Sequence, residues 1–297
     1  MFKIPLSNLQ TWSASVISSM SDVRLAGRSK VHLVDADCEM HLGGRSPNYT
    51  GFPDGLVLEP MNCCSMAFPG SKVRPTAKDA QQDDKVWLKF GNDMIFDPPK
   101  HGSVTAIGVP RIWPEHLDDG KEPSNPNHAI EFHPLTGLRD GGDEYDFSAL
   151  VSAGDFKGHV GTATGPSILR KTRVKVKNDA GTVTVSFFGG QIENFTTLDL
   201  EVDPSSVVGD GRGSFRASGN ALLDDGTAVA VRMVTAAGSQ ANDVIGRIRS
   251  NPSASRISSL ILFSLSPQAL LDAANKSQGN PIDVDRPIQL ILYGAPE

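Results

Sequence analysis

Apolar and polar positions alternate with a period of two along most of this chain, and that spacing predicts β-strands. The clearest run is residues 103–113 (SVTAIGVPRIW), in which Pro110 belongs at an edge or a bulge. Residues 31–42 (VHLVDADCEMHL), 55–60 (GLVLEP), 86–96 (VWLKFGNDMIF) and 128–135 (HAIEFHPL) read as further strands. Leu9, Trp12, Val16 and Met20 instead recur at helical spacing, which predicts a short helix over residues 9–20. Beyond residue 169 the pattern turns to β-branched alternation. RKTRVKVK passes through Asn178-Asp179-Ala180-Gly181 into TVTVSFF, a hairpin with a turn-forming loop. Residues 198–202, 213–221 and 227–234 keep strand spacing, with Asp224-Asp225-Gly226 as a second turn. Ser266-Pro267 ahead of QALLDAANKS marks a helix start, with Ser at the N-cap and Pro in the first turn. Residues 287–293 (PIQLILY) read as a buried strand.

Between these halves, residues 137–146 (GLRDGGDEYD) hold three Gly, three Asp and one Glu and little that is apolar, so a domain boundary is expected there. Strands do not alternate with helices in βαβ fashion, which argues against a doubly wound sheet. No internal repeat of fixed period is visible. No apolar run approaches the length of a membrane span. The opening residues lack the apolar core of a signal peptide.

Charge changes the picture more than bulk composition does. The net charge is −6, and all of it arises in residues 1–150, which carry 14 Lys/Arg against 20 Asp/Glu. All seven His lie between His32 and His159. Ionisable chemistry is therefore concentrated in the first half, and an acidic chain is a poor partner for nucleic acid or anionic membrane. Cys38, Cys63 and Cys64 have neither zinc-ligand spacing nor a C-x-x-C arrangement, and read as buried thiols or one bridge plus one thiol. Asn48-Tyr49-Thr50 and Asn194-Phe195-Thr196 match the glycosylation acceptor pattern.

Two strings in the first half share one form: Cys38-Glu39-Met40-His41 and Ile130-Glu131-Phe132-His133. On a strand, residues i and i+2 share a face, so each string sets a carboxylate beside an imidazole. If the strands are neighbours, Glu39, His41, Glu131 and His133 converge. Such a set would bind a divalent metal such as zinc, iron or manganese, or act as an acid–base pair. The plain alternative is two satisfied Glu–His contacts without chemistry. His116, beside Glu115 in the loop after Trp113-Pro114, could join the set or face solvent. Asp140, Asp143, Glu144 and Asp146 form an acidic loop, but without the EF-hand order for calcium. Arg173, Lys175 and Lys177 share one face of their strand; they would either grip an anion or protect a sheet edge with charge. Nucleophile-elbow, P-loop and dinucleotide glycine motifs are absent.

The segments Asp37-Cys38-Glu39-Met40-His41-Leu42, residues 109–116, and Pro126-Asn127-His128-Ala129-Ile130-Glu131-Phe132-His133-Pro134-Leu135 together resemble a pattern of uncharacterised bacterial β-rich domains. The resemblance covers about residues 30–138 and implies a small OB-like barrel there, with no assigned activity. Glu39 stands where that pattern has Asp, and residues 43–53 are an insertion. The expected fold is mainly β: an N-terminal helical segment (1–29), the OB-like barrel (30–138), a linker (139–168), and a β-sandwich or jelly-roll-like unit with one short helix (169–297). The leading functional expectation is a non-enzymatic binding or structural module. Its rivals are a metal-assisted hydrolase built on the Glu-x-His pairs, and a self-assembling shell or filament subunit, hence a homo-oligomer.

Overall fold

The structure, a computed structural model, describes residues 1–28, 40–60, 101–118, 120–147, 165–189, 192–251 and 255–294. Glu39, the three cysteines and the expected strand over 86–96 lie outside the described residues. The protein is mainly β, as its alternation predicts, and it contains two closed five-stranded barrels.

The chain opens with β1 (Phe2–Pro5), α1 (Leu6–Ala14) and β2 (Ser18–Arg28). The helix expected over 9–20 thus stops early, and Val16 and Met20 flank the start of a strand. Their separation of four fits both periods; burial of Val16, Ser18 and Met20, with their neighbours less buried, shows that period two prevailed. β2 continues into the first barrel with β3 (Leu42–Arg45), β4 (Gly55–Leu58) and β5 (Val104–Ile112). A small hairpin, β6 (Lys121–Glu122) and β7 (Asn125–Pro126), precedes β8 (His128–Asp140), which turns into β9 (Asp143–Asp146). The pairing of β5 with β8 shifts register between Gly108 and Pro110, the irregularity that a strand proline requires.

The expected linker therefore begins as a β8–β9 hairpin, and its acidic side chains have neighbours. Buried Asp140 accepts a hydrogen bond from the His101 backbone N–H at 3.1 Å, and Glu144 pairs with Arg139.

The second half starts with α2 (Gly165–Lys171), β10 (Arg173–Asp179) and β11 (Thr182–Phe188). The second barrel follows: β12 (Phe195–Val202), then β13 (Val208–Gly209), β14 (Phe215–Leu222) and β15 (Ala228–Thr235), α3 (Gln240–Ser250), and β16 (Arg256–Leu265). After α4 (Pro267–Ser277) and β17 (Ile282–Asp283), β18 (Ile288–Gly294) completes it. The Ser266 hydroxyl accepts from the Ala269 N–H, so α4 starts where its N-cap predicts. Pairing of β12 with β14 closes this sheet into a ring. A barrel rather than an open sandwich is what the second unit forms.

Numbering the five strands of each barrel in chain order, both rings run 1-2-3-5-4 and back to 1. In both, strands 3 and 5 are the parallel pair: β4 with β8, and β15 with β18. The two halves thus repeat a topology that their residue patterns do not display.

The barrels pack outer face to outer face. Val16 and Val109 of the first meet Phe195, Leu260, Leu262, Ile291 and Tyr293 of the second, all buried. Each such aliphatic side chain withdrawn from water contributes about 1.5–3 kcal/mol. Beside them β1 pairs antiparallel with β11, extending the order β1-β11-β10-β17. The N-terminal segment is therefore shared between the two halves rather than standing as a unit of its own.

Candidate functional site

Sheet register assembles a row of charged side chains on the outer face of the first barrel, where the second barrel covers it. Arg111 of β5 and Glu131 of β8 are direct cross-strand partners. His133 follows Glu131 by two residues and so shares its face. Glu59 directly follows β4, with its N–H bonded to Phe132 O at 3.1 Å; His41 directly precedes β3, whose Leu42 faces Leu58. Four neighbouring strands thus each supply part of the row, while Ile130 and Phe132, the alternate residues of β8, belong to the apolar core.

All of these groups are buried: Arg111 and His133 at 0% exposure, Glu131 at 1%, Glu59 at 4% and His41 at 9%. Buried charges demand partners, and they have them. Arg111 donates to Glu131 Oε2 at 2.5 Å, to Asn194 Oδ1 at 2.5 Å and, through Nε, to the Phe263 carbonyl at 2.8 Å. The last two acceptors belong to the second half, so one guanidinium ties the barrels together. Glu59 takes an imidazole on each oxygen: His133 at Oε2, and His41 at 3.4 Å from Oε1. His133 in turn lies edge-on to Phe195 and Tyr293 of the second barrel.

His128 extends the row. Its Nε2 is 3.0 Å from Glu131 Oε1 and its Nδ1 is 2.6 Å from the Pro126 carbonyl. Both ring nitrogens face acceptors, an arrangement that the imidazolium satisfies. Burial pushes the His128 pKa down, but its bond to Glu131 outweighs that and raises it. Burial pushes Glu131 up; Arg111 and the bonds from His128 and His133 reverse this and hold it well below the usual carboxylate range. For Glu59 burial likewise opposes ionisation, and His133 and His41 prevail. Glu115, 3.8 Å from Arg111, is raised by burial despite that neighbour.

Of the residues singled out by sequence, His41, Glu131 and His133 meet in this row, and both histidines reach one carboxylate. That carboxylate is Glu59, which the pattern did not single out. His116 stays outside: its ring stacks on His128 at 5.2 Å and its carbonyl accepts from the His128 N–H. Arg111 and Glu59 were both missed. The available signal was a lone charge within an otherwise apolar run, VPRIW and GLVLEP, which requires a buried counter-charge. Asn194, a match to the glycosylation pattern, has its amide oxygen held by Arg111.

Glu59, Glu131 and His133 each offer a ligand atom within 4.8 Å of the others, a set whose chemistry suits zinc, manganese or iron. The basic stripe lies elsewhere, on β10. Arg173 and Lys175 face solvent and Lys177 is half-buried, with Val174 and Val176 buried between them. Lys175 lies 3.9 Å from Asp283 and Lys177 lies 2.8 Å from Asp179.

A separate groove of about 980 Å³ crosses the first barrel over β2 and β3, walled on one side by residues 45–47 and 52–54 and on the other by residues 117–118, 120, 122–123 and 126–127. The second wall lies directly on the strands: a Cβ at Gly43 would come within 2.1 Å of the Pro123 carbonyl. Arg24, Arg45, Asp54, Asp118 and Glu122 line the groove, and Phe52 stands 64% exposed at its edge.

Comparison with protein-family models, curated proteins and solved structures finds no match to this chain.

Proposed function

We propose that this protein is a non-enzymatic binding module, whose buried charged row is a structural tie and whose groove takes a polar, uncharged chain of the oligosaccharide class. The groove carries the reading. Its walls set two arginines against three carboxylates, so it offers no net attraction to a phosphate backbone. Arg45 and Asp54, 3.2 Å apart, present donors and acceptors together, and Phe52 adds an apolar face for sugar C–H groups. The ring order 1-2-3-5-4 with a parallel 3–5 pair supports an OB-like reading of both barrels. In such barrels the loop between strands 4 and 5 borders a common site for oligonucleotides and oligosaccharides, and here that connection, with Leu117, Asp118, Glu122 and Pro123, walls the groove, which lies over strands 1 and 2 of the ring. Calorimetric titration with cellohexaose, maltohexaose and chitohexaose, beside an oligo-dT control, tests the reading. At least one hexasaccharide should bind, and Phe52→Ala should weaken it tenfold or more. Binding of oligo-dT alone, or of none of the four, would overturn it.

The Glu59, Glu131 and His133 donors favour a second reading, a metal-assisted hydrolase. It ranks below the first because Arg111 already holds Glu131 and because Phe195 and Tyr293 pack over His133. Stoichiometric metal in the purified protein, lost in Glu59→Gln, would put the metal reading first.

A further inference from the structure

The outer face of the second barrel carries a polar row that neither the charged tie nor the groove uses. Register places Ser218 of β14, Arg232 of β15 and Gln289 of β18 side by side across three strands. Arg216 lies two residues from Ser218 and on the same face. These four side chains line a cleft of about 190 Å³ at the junction of the barrels. Its opposite wall includes Trp12, Val16 and Val109, and its end is the N-terminus of α4, with Ser266 and Gln268.

Three observations give this cleft the character of an anion site. First, both arginines are half-buried, and burial lowers the pKa of each, so each guanidinium has lost part of its hydration. Second, neither is in an ion pair with a described residue: Arg232 donates to the carbonyls of Asp285 and Arg286, with the charges of Asp285 and Asp272 acting on it from beyond pairing distance, and Asp210, whose charge acts on Arg216, already accepts from Ser15 and from the Arg212 and Ser214 N–H groups. Third, Gln289 is only 9% exposed, and its amide has no hydrogen-bond partner among the described residues. That amide lines the cleft, where it can donate to a ligand. The eleven-residue α4 adds the positive end of its dipole.

We infer that this cleft binds an oxyanion of the phosphate class, held by the guanidiniums of Arg216 and Arg232 and the amide of Gln289. Guanidinium forks match the geometry of a phosphate, and two of them at one site give bidentate recognition. The cleft has room for inorganic phosphate or for the head of a phosphomonoester. Because the first barrel supplies one wall, bound anion also bridges the barrels and stabilises the folded chain.

Titration with inorganic phosphate and with glycerol phosphate, at ionic strength fixed with sodium chloride, tests this. Phosphate or its ester should bind and raise the thermal midpoint, and chloride should not. Arg216→Gln and Arg232→Gln should each weaken binding at least tenfold, and the double variant should abolish it. Gln289→Met should weaken it less, and Phe52→Ala in the groove should leave it unchanged, which separates this site from the groove. Tighter binding of the ester would identify an organic phosphate as the source, and tighter binding of the free anion the reverse. On the unaltered protein, phosphate should protect Arg216 and Arg232 from phenylglyoxal, read by mass spectrometry. Equal shifts by phosphate and chloride, wild-type affinity in the double variant, or no protection would each overturn the inference.

Discussion

Arg111 satisfies three oxygens from three different segments of the chain, and its removal leaves Glu131 buried beside imidazoles alone. Breaking a buried pair from one side costs about 3–5 kcal/mol, whereas exchanging both partners for apolar groups of similar size is often near neutral. Arg111→Met should therefore lower the urea midpoint steeply, and Arg111→Met with Glu131→Leu should recover much of the loss. Equal loss in both variants would show that the loss comes from the bonds Arg111 makes and not from a stranded Glu131 charge. His128 gives a pH signature. Its pKa is raised on folding, so its contribution is complete below the unfolded value near 6.5 and is lost as pH rises through the folded one. Glu59 and Glu131 are lowered, so theirs is present above the ordinary 4.5 and lost as pH falls through their folded values. Thermal midpoints measured against pH should fall at both ends, and His128→Gln should flatten the alkaline limb only.

At the scale of elements, β10 shows how a basic stripe is neutralised locally. Its cations have acids or carbonyls nearby: Asp283, Asp179, and the Arg170 and Thr172 carbonyls that accept from Arg173. Exposed pairs of this kind contribute at most about 1 kcal/mol each. Arg173→Gln, Lys175→Gln and Lys177→Gln together should leave stability nearly unchanged, and the unaltered protein should not be retained on heparin at physiological salt. Retention that the triple variant loses would mark β10 as a polyanion surface. Elements such as β5, β11 and α4 were legible in the sequence because alternation, turn residues and an N-cap act within a few positions. The β12–β14 closure and the parallel pairs were not, because pairing partners far apart leave no local period. Half of the charged row was legible for the same reason. The i, i+2 spacing put Glu131 with His133, but Glu59 and Arg111 join them only through register between distant strands.

At the scale of the whole molecule, the halves are joined by the packed outer faces of the barrels, by the Arg111 bonds to Asn194 and Phe263, and by β1 lying against β11. The buried core cluster runs through both barrels and the β1-β11-β10-β17 sheet. Heating should therefore give one cooperative transition, with calorimetric and van't Hoff enthalpies in agreement. Two resolved transitions would show the barrels to be independent.

The pairing of β1 with β11 also sets a timetable for synthesis. Phe2–Pro5 leave the ribosome long before their partner, Thr182–Phe188, exists. At about 5–20 residues per second, the first strand waits roughly 10–35 s for it. During that interval every strand of the first barrel emerges, while Phe2 and Ile4, side chains fully enclosed in the finished protein, have no sheet to enter. For that time the nascent chain offers a short apolar strand to any chaperone, or to any neighbouring nascent copy that arrives first.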